Sequence, residues 1–452
     1  MNESQNPLGR PDVTRRSFLQ TSGVAVGGAL LGGLSIERAA YAAGSDQLKI
    51  ALVGCGGRGS GAANQALSTA GDIKLVAVAD IHEDKMTGSL SNLRRSHPTK
   101  VDVKPENEFM GFDGYKKAIA VADVVILATP PGFRPMMFEE AVKQGKHVFM
   151  EKPVCVDAPG FRKVMAAAQE AKKKNLKVGV GLQRRHQPPY LETMKRLQDG
   201  AIGDIVSMRC FWNGNTPWVR RREDLEKQAN RKLTEMEYQL RNWYYFVWLC
   251  GDHICEQHIH NIDVINWLKN GPPVKARGMG GCETRKGLDY GEIFDHHSVE
   301  FTYADGSICH SMCRHQLGCW NEVSEYAIGS KGRSDIHRYT ITGANPWRYR
   351  EEKKVDPYQQ EHDDLFDAIR NNKPYNEAEY GATSSMTSVL GRMATYSGKE
   401  VEWDAAIKSN IDTMVKGIDV GSFADALKLT PPTLPGKDGL YQLPVPGKTV
   451  VI

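Results

Sequence analysis

The stretch "LKIALVGCGGRGSGAANQAL", Leu48–Leu67, restricts the fold more than any other part of the chain. Lys49–Val53 is a short, mostly apolar run, and an Ala-rich segment with helical character follows the glycines. Between them stands Gly54-x-Gly56-x-x-Gly59, with Gly57, Arg58 and Gly61 in and beside it. A GxGxxG alone is a weak signal. A strand before it and a helix after it make it a turn suited to a dinucleotide. The glycines let backbone approach a pyrophosphate, and the helix N-terminus supplies amide donors. The next strand, "IKLVAVAD", ends in Asp80. A carboxylate there can accept from both ribose hydroxyls of NAD and would repel the 2′-phosphate of NADP. Arg58 could help hold a phosphate, which keeps NADP as the lesser alternative. A glycine-rich turn with no ligand is the plain structural reading.

Further βα units follow. "ADVVILATPP" (Ala122–Pro131) reads as a buried strand ending at Thr129-Pro130, with "FRPMMFEEAVKQG" as its helix. "HVFMEKPV" (His147–Val154) is the next strand and runs into Glu151-Lys152-Pro153. "FRKVMAAAQEAKKKN" reads as a helix and "LKVGVGLQRR" as one more strand. Such alternation predicts an α/β, Rossmann-type, doubly wound parallel sheet over residues 43–185. Ligands on these sheets sit at the strand carboxyl ends. Gly56, Asp80, Thr129 and Lys152 all fall at such ends. With Gly54, Gly57, Arg58, Gly59, Pro130 and Glu151 they form the expected cofactor-binding set.

After Arg185 the pattern changes. "DIVSMRCFWNG", "VKARGMGGCE", "HHSVEFTYADGSICHSMCRH" and "EVSEYAIGSKGRSDIHRYTITG" read as strands with hairpin turns such as Ala304-Asp305-Gly306. Residues 186–452 are expected to form an α+β domain with a large, mostly antiparallel sheet against helices. The helix "QEHDDLFDAIRN" is expected to return to the first domain.

A chain of 452 residues is too long for one small domain. With 40 % hydrophobic and 25 % charged residues it is ordinary for a globular protein. The net charge of +4 points to no special partner, and no basic block accompanies a nucleic-acid fold, so no nucleic acid is expected. Near the start, "TRRSFLQ" (Thr14–Gln20) precedes a Gly/Ala-rich apolar stretch and small residues around Ala40-Tyr41-Ala42. Residues 1–42 read as a twin-arginine signal, cleaved near Ala42 or Ala43, for export of the folded protein to the periplasm or another extracytoplasmic space. The apolar run is short and glycine-rich for a stable membrane span, and Glu37-Arg38 follows it. A cofactor made in the cytoplasm must be loaded before such export. The nine cysteines are scattered, with no CxxC pair. A disulfide framework is not expected, although Cys309 and Cys313 could pair outside the cell.

These motifs resemble the Gfo/Idh/MocA family, which includes glucose-fructose oxidoreductase and inositol dehydrogenase. "ATPP…FRPMMFEEAVKQGKHVFMEKPV" is similar to the family's most specific segment. "GLQRRHQPPY", "DGAIGDIVSM", "HNIDVINWLKNG", "EHDDLFDAIRNNKPYNEAEYG" and "GKEVEWD" match family segments in the same order. The resemblance implies oxidation of a ring hydroxyl of a sugar, sugar acid or polyol with NAD. It implies a homo-oligomer formed through the second sheet. It also implies that Lys152 lies beside the nicotinamide and the reacting hydroxyl. There are departures. Arg134 stands where the family often has histidine, Glu256 where it often has aspartate, and residues 213–249 are long and charged. Two other outcomes share the motifs: a redox-assisted, NAD-dependent glycoside hydrolase or lyase, and a sugar-binding or interaction protein without catalysis.

"CGDHICEQHIHNIDVINW", Cys250–Trp267, raises its own question. Read as one helix, it places Glu256 and His260 at i and i+4 on one face, with Asp263 a turn further as a structural residue. The family's catalytic Asp-x-x-x-His aligns on this pair. His260 is then the base, Glu256 its orienting group or a sugar contact, and Lys152 the charge that stabilises an alkoxide. A polar helix with no role is the bland reading. A zinc site would want a spacing such as HExxH, which His253-x-x-Glu256-x-His258 does not match, so no metal is expected. In the charged stretch that follows Asn213, aromatic and arginine side chains suit either a sugar pocket or a partner subunit. Arg185, Trp243 and Tyr244 are the candidate substrate contacts.

Overall fold

Six short apolar runs build the first sheet. They are β1 (Leu48–Val53), β2 (Ile73–Asp80), β3 (Glu108–Met110), β4 (Val124–Leu127), β5 (His147–Met150) and β6 (Val178–Val180). The computed structural model describes residues 47–350, 354–419 and 422–452. The expected signal, residues 1–42, lies outside the described residues. Strand order is β3-β2-β1-β4-β5-β6, and every pairing is parallel. The order reverses between β1 and β4, which opens a crevice at their carboxyl ends. Ile50, Ala51, Leu52 and Val53 are all buried because helices cover both faces of the sheet. The strand therefore reads as a continuous apolar run and not as an alternation. Ile50 and Leu52 pack with Ala62, Ala66 and Leu90 on one side; Ala51 and Val53 pack with Ile119 and Phe138 on the other.

The helices follow from local rules. In Ala158–Lys173 the side chain of Asp157 caps the start by accepting from the Gly160 amide at 2.7 Å, and Pro159 occupies the first turn. Phe161, Val164, Ala168 and Ala171 recur at helical spacing and are buried. Helix Pro357–Arg370 returns to the first sheet as expected, placing Leu365 and Phe366 in the same core cluster as Ile50 and Phe149. Its apolar face completes the cover of the parallel sheet. The strand expected over "LKVGVGLQRR" also shortens: beyond β6, Gln183–His186 forms a 3₁₀ turn.

The second sheet comprises β7 (Ile205–Gly214), β8 (Lys275–Gly281), β9 (His296–Thr302), β10 (Ile308–His315), β11 (Glu322–Gly329), β12 (Gly332–Asp335), β13 (Thr340–Gly343), β14 (Trp347–Arg348) and β15 (Val401–Glu402). Its order is β14-β13-β12-β11-β7-β10-β9-β8-β15. All pairings are antiparallel except β7 with β10. On β10, Cys309, Ser311 and Cys313 point into the core while His310 and Met312 face out. Cys309 and Cys313 are thus four residues apart along one strand, about 13 Å, too far for the disulfide that sequence left open. The Cys309 sulfur lies 3.8 Å from Cys210 instead, and every cysteine is a free thiol. No helix of the described residues is long and apolar enough to cross a membrane.

Candidate active site

The glycine turn has the shape its spacing predicts. Gly54 has φ +93°, and a Cβ there would stand 2.6 Å from the Ala128 carbonyl carbon. A Cβ on Gly59 would meet the Gly54 oxygen at 1.9 Å, so this glycine lets helix Gly57–Ser68 press on β1. A Cβ on Gly56 would meet nothing within 4 Å. Gly54 and Gly59 are closed by protein and Gly56 faces open space at a helix start, as a pyrophosphate cradle requires. Asp80 ends β2 and accepts from the Cys55 amide at 2.6 Å and the His82 amide at 2.8 Å. Burial pushes its pKa upward, against the pull of these amides. Each oxygen keeps a second lone pair for a ribose hydroxyl. A cavity of about 580 Å³ is lined by Gly54, Gly56, Gly57, Arg58, Asp80, Thr129 and Pro130. The residues present fit NAD.

Glu151 and Lys152 stand outside this lining. Glu151 is held by Arg58, whose Nε lies 2.8 Å away, so the loop arginine is tied to the end of β5. Arg134 was noted in the sequence only as a departure. It is buried and donates to the Thr129 and Pro153 carbonyls, splinting the ends of β4 and β5. Burial lowers its pKa to about 10, against the upward pull of Glu151 and Glu256.

The helix expected over Cys250–Trp267 is broken. Asp252 has φ +76°, His253–Glu256 forms one turn, Gln257 and His258 form a turn that keeps right-handed helical backbone angles, and Ile259–Lys269 starts a new helix with His258 at its N-cap. Glu256 and His260 therefore lie in two separate helical segments, Glu256 at the end of the first and His260 in the first turn of the second. The Glu256 carboxylate lies 2.9 Å from Lys152 Nζ, which also donates to the Glu256 carbonyl. Glu256 orients the lysine and not the histidine. His260 is buried and stacks on Trp212, with centroids 5.9 Å apart and planes 27° apart. Its Nδ1 has no hydrogen-bond partner. Burial, then the charges of Lys152 and Arg184, hold its pKa well below the usual histidine value. The ring is neutral at pH 7, as a proton acceptor must be.

The other two histidines lead elsewhere. His258 Nε2 lies 2.7 Å from the Ser311 hydroxyl. His253 Nδ1 lies 2.8 Å from Asp252. Asp252, His253 and His297 form a cluster of three possible metal ligands among the described residues. Its carboxylate, however, already accepts from the Phe294 amide at 3.0 Å, the Tyr396 hydroxyl at 2.6 Å and His253, with His297 Nε2 at 3.2 Å. Those donors occupy the lone pairs that a metal would need. This is a buried hydrogen-bonded knot that sets the backbone before His253.

The candidate substrate contacts divide. Arg185 makes a two-pronged pair with Asp263, both bonds 2.9 Å, and stacks on Tyr380. Its guanidinium is paired inside the fold with Asp263, the residue that the sequence reads as structural. Trp243 lines the cofactor cavity together with Trp218, Arg220, Leu225, Gln228, Leu240 and Arg241. The charged segment after β7 thus walls the dinucleotide groove. Tyr244 is buried, and its hydroxyl has no partner. Burial and then Glu256 push its pKa well up, so it remains a donor. Sequence reasoning missed Trp212 and the Arg58–Glu151 tie, for which no spacing gave a signal.

A parallel sheet whose open glycine turn and strand-end carboxylate line a cavity that fits NAD defines a dinucleotide-binding class. Comparison with known proteins agrees. The model of an oxidoreductase family with an NAD-binding Rossmann fold, Gfo/Idh/MocA, matches residues 48–182, and that of a Gfo/Idh/MocA C-terminal domain matches 190–335. The chain belongs to the Gfo/Idh/MocA family. It is 26 % identical to an inositol 2-dehydrogenase of Ralstonia nicotianae over 53 % of this chain and 59 % of that enzyme. It is 26 % identical to one of Rubrobacter xylanophilus over 65 % and 72 %. The match therefore spans little more than half of the first relative. Among solved structures, aldose-aldose oxidoreductase of Caulobacter crescentus has a TM-score of 0.61 at 17 % identity, covering 79 % of this chain and 99 % of that one. Scyllo-inositol dehydrogenase of Lactobacillus casei, with NAD(H) and scyllo-inositol bound, has 0.59 at 21 % over the same shares. At these identities the likeness is one of fold.

Proposed function

We propose that the chain is an exported, NAD-dependent oxidoreductase acting on a ring hydroxyl of a sugar, sugar acid or polyol. The observation that carries this reading is His260: neutral, buried against the flat face of Trp212, and under the field of Lys152. An aromatic face suits the C–H surface of a sugar ring. His260 accepts the hydroxyl proton, and the Lys152 ammonium, aimed by Glu256, stabilises the developing alkoxide. The unpartnered Tyr244 hydroxyl is a donor available to a substrate oxygen. NAD, when bound, supplies the hydride acceptor. The inositol 2-dehydrogenases among the relatives support a polyol-like substrate class.

The cofactor is held tightly in this reading. Free NAD is scarce outside the cytoplasm, and the segment from Trp218 to Trp243 walls the groove. The outward face of the second sheet, with Met279 75 % exposed and Met312 also exposed, together with Trp320 in the connection after β10, suits a second copy of the chain. The test is a panel of sugars, sugar acids and polyols, with NADH absorbance and product mass read together. The expected result is NADH, or a reduced bound cofactor, with a product two mass units lighter. A product lighter by a lost aglycone would mark redox-assisted cleavage. No redox change with any member would sink the enzyme reading.

Export is tested separately. Replacing Arg15 and Arg16 with lysine is expected to leave uncleaved protein in the cytoplasm. Fractionation and immunoblotting report this, and normal export of the double variant would contradict the signal.

A further inference from the structure

Four cations line the cavity that fits NAD, and three of them already have a carboxylate partner. Four arginine or lysine side chains line it: Arg58, Lys85, Arg220 and Arg241. Arg58 pairs with Glu151 at 2.8 Å. Arg241 and Lys85 both pair with Asp84, at 2.8 and 3.6 Å. Arg220 has no ion-pair partner among the described residues. Its guanidinium carbon lies 5.4 Å over the Trp218 ring, and its backbone amide is fixed by the Asn242 side chain at 2.9 Å. Trp218 in turn meets Trp243 edge-on at 5.8 Å, and both line the same cavity.

A dinucleotide brings two negative charges to this cavity on its pyrophosphate. The glycine turn offers amides but no net charge, and Arg58 is offset by Glu151. We propose that Arg220, carried by the segment that walls the groove from the second domain, pairs with the pyrophosphate of the bound dinucleotide. A guanidinium stacked on tryptophan is oriented before the ligand arrives, and its flat fork matches two phosphate oxygens. The groove is then closed around the phosphates from both domains, with amides on one side and a cation on the other. This deepens the tight-cofactor reading and rests on NAD as the ligand.

The test uses the full chain and three probes: NADH followed by its fluorescence, and ADP-ribose and adenosine as competitors. Arg220→Ala is expected to weaken NADH and ADP-ribose by about 10-fold, in line with loss of a charge-assisted bond to an exposed side chain that bound ligand would cover, and to leave adenosine unchanged. Arg220→Lys should recover part of the loss. The dependence of ADP-ribose affinity on salt should be shallower in Arg220→Ala than in the unaltered protein. Arg221→Ala, at the exposed neighbour, serves as the control and should bind like the unaltered chain. Unchanged ADP-ribose affinity in Arg220→Ala would overturn the proposal and make Arg220 a solvated side chain. Equal weakening of adenosine and ADP-ribose would also overturn it, since the residue would then support the wall and not the phosphates. Absence of NADH binding by the unaltered chain would overturn the cofactor reading and this proposal together.

Discussion

Replacing His260 with alanine lowers turnover by about 10²–10⁴-fold, the usual worth of a positioned general base, while cofactor and substrate affinities change little. Stopped-flow hydride transfer together with a binding titration separates the two. The pH profile carries a second signature. Burial, with Lys152 and Arg184 adding positive charge, depresses the His260 pKa well below its ordinary value. A base whose pKa is lowered stays unprotonated further into acid, so the acid limb of kcat/KM should lie below pH 6.5, the ordinary histidine value. Near-normal turnover in His260→Ala would refute the assignment. His253→Ala is a useful contrast, because His253 belongs to the Asp252 knot and should cost stability before it costs chemistry. If His253→Ala, His258→Ala and His260→Ala all stay folded and fail alike, and a chelator inactivates the protein, the metal reading returns.

Asp252→Ala is expected to destabilise the fold by about 3–5 kcal/mol, the usual penalty for breaking a buried charged network by removing one partner. The Asp252 carboxylate is fully buried and accepts from Phe294, Tyr396 and His253, with His297 beside it. Burial alone would raise its pKa, but His297 and His253 more than offset this and hold it well below the usual carboxylate range. The sign follows. With a folded pKa below the unfolded one, the stabilising contribution is complete above the ordinary carboxylate value and is lost as pH falls through the folded value. Urea unfolding at pH 7 should show the full loss in the variant. In acid, the gap between variant and unaltered chain should narrow. A difference below about 1 kcal/mol at pH 7, the scale of an ordinary surface change, would mean that the knot does not hold this region together.

The cofactor turn was legible in the sequence because its causes are local. Gly54 needs a positive φ, Gly59 needs close helix packing, and Asp80 follows from the end of an apolar strand; each depends on residues a few positions away. The parallel sheet was legible for the same reason, since strand and helix periodicity alternate along one stretch of chain. Local reasoning reached less far at Glu256. The run from Cys250 to Trp267 has helical composition, but Asp252, with its positive φ, belongs to a knot closed by Phe294, His297 and Tyr396, none of them near in sequence. Arg185 shows the same dependence: its partner Asp263 lies far along the chain. Periodicity reports which face of an element is apolar. It does not report which distant carboxylate will meet a given cation, or that the segment from Trp218 to Trp243 crosses the nucleotide groove. Local backbone preference and burial pattern therefore determined the sheet, the turn and the residue types of the site. Only tertiary structure decided the pairing of charges, because Coulomb attraction and desolvation depend on distances that the order of residues does not encode.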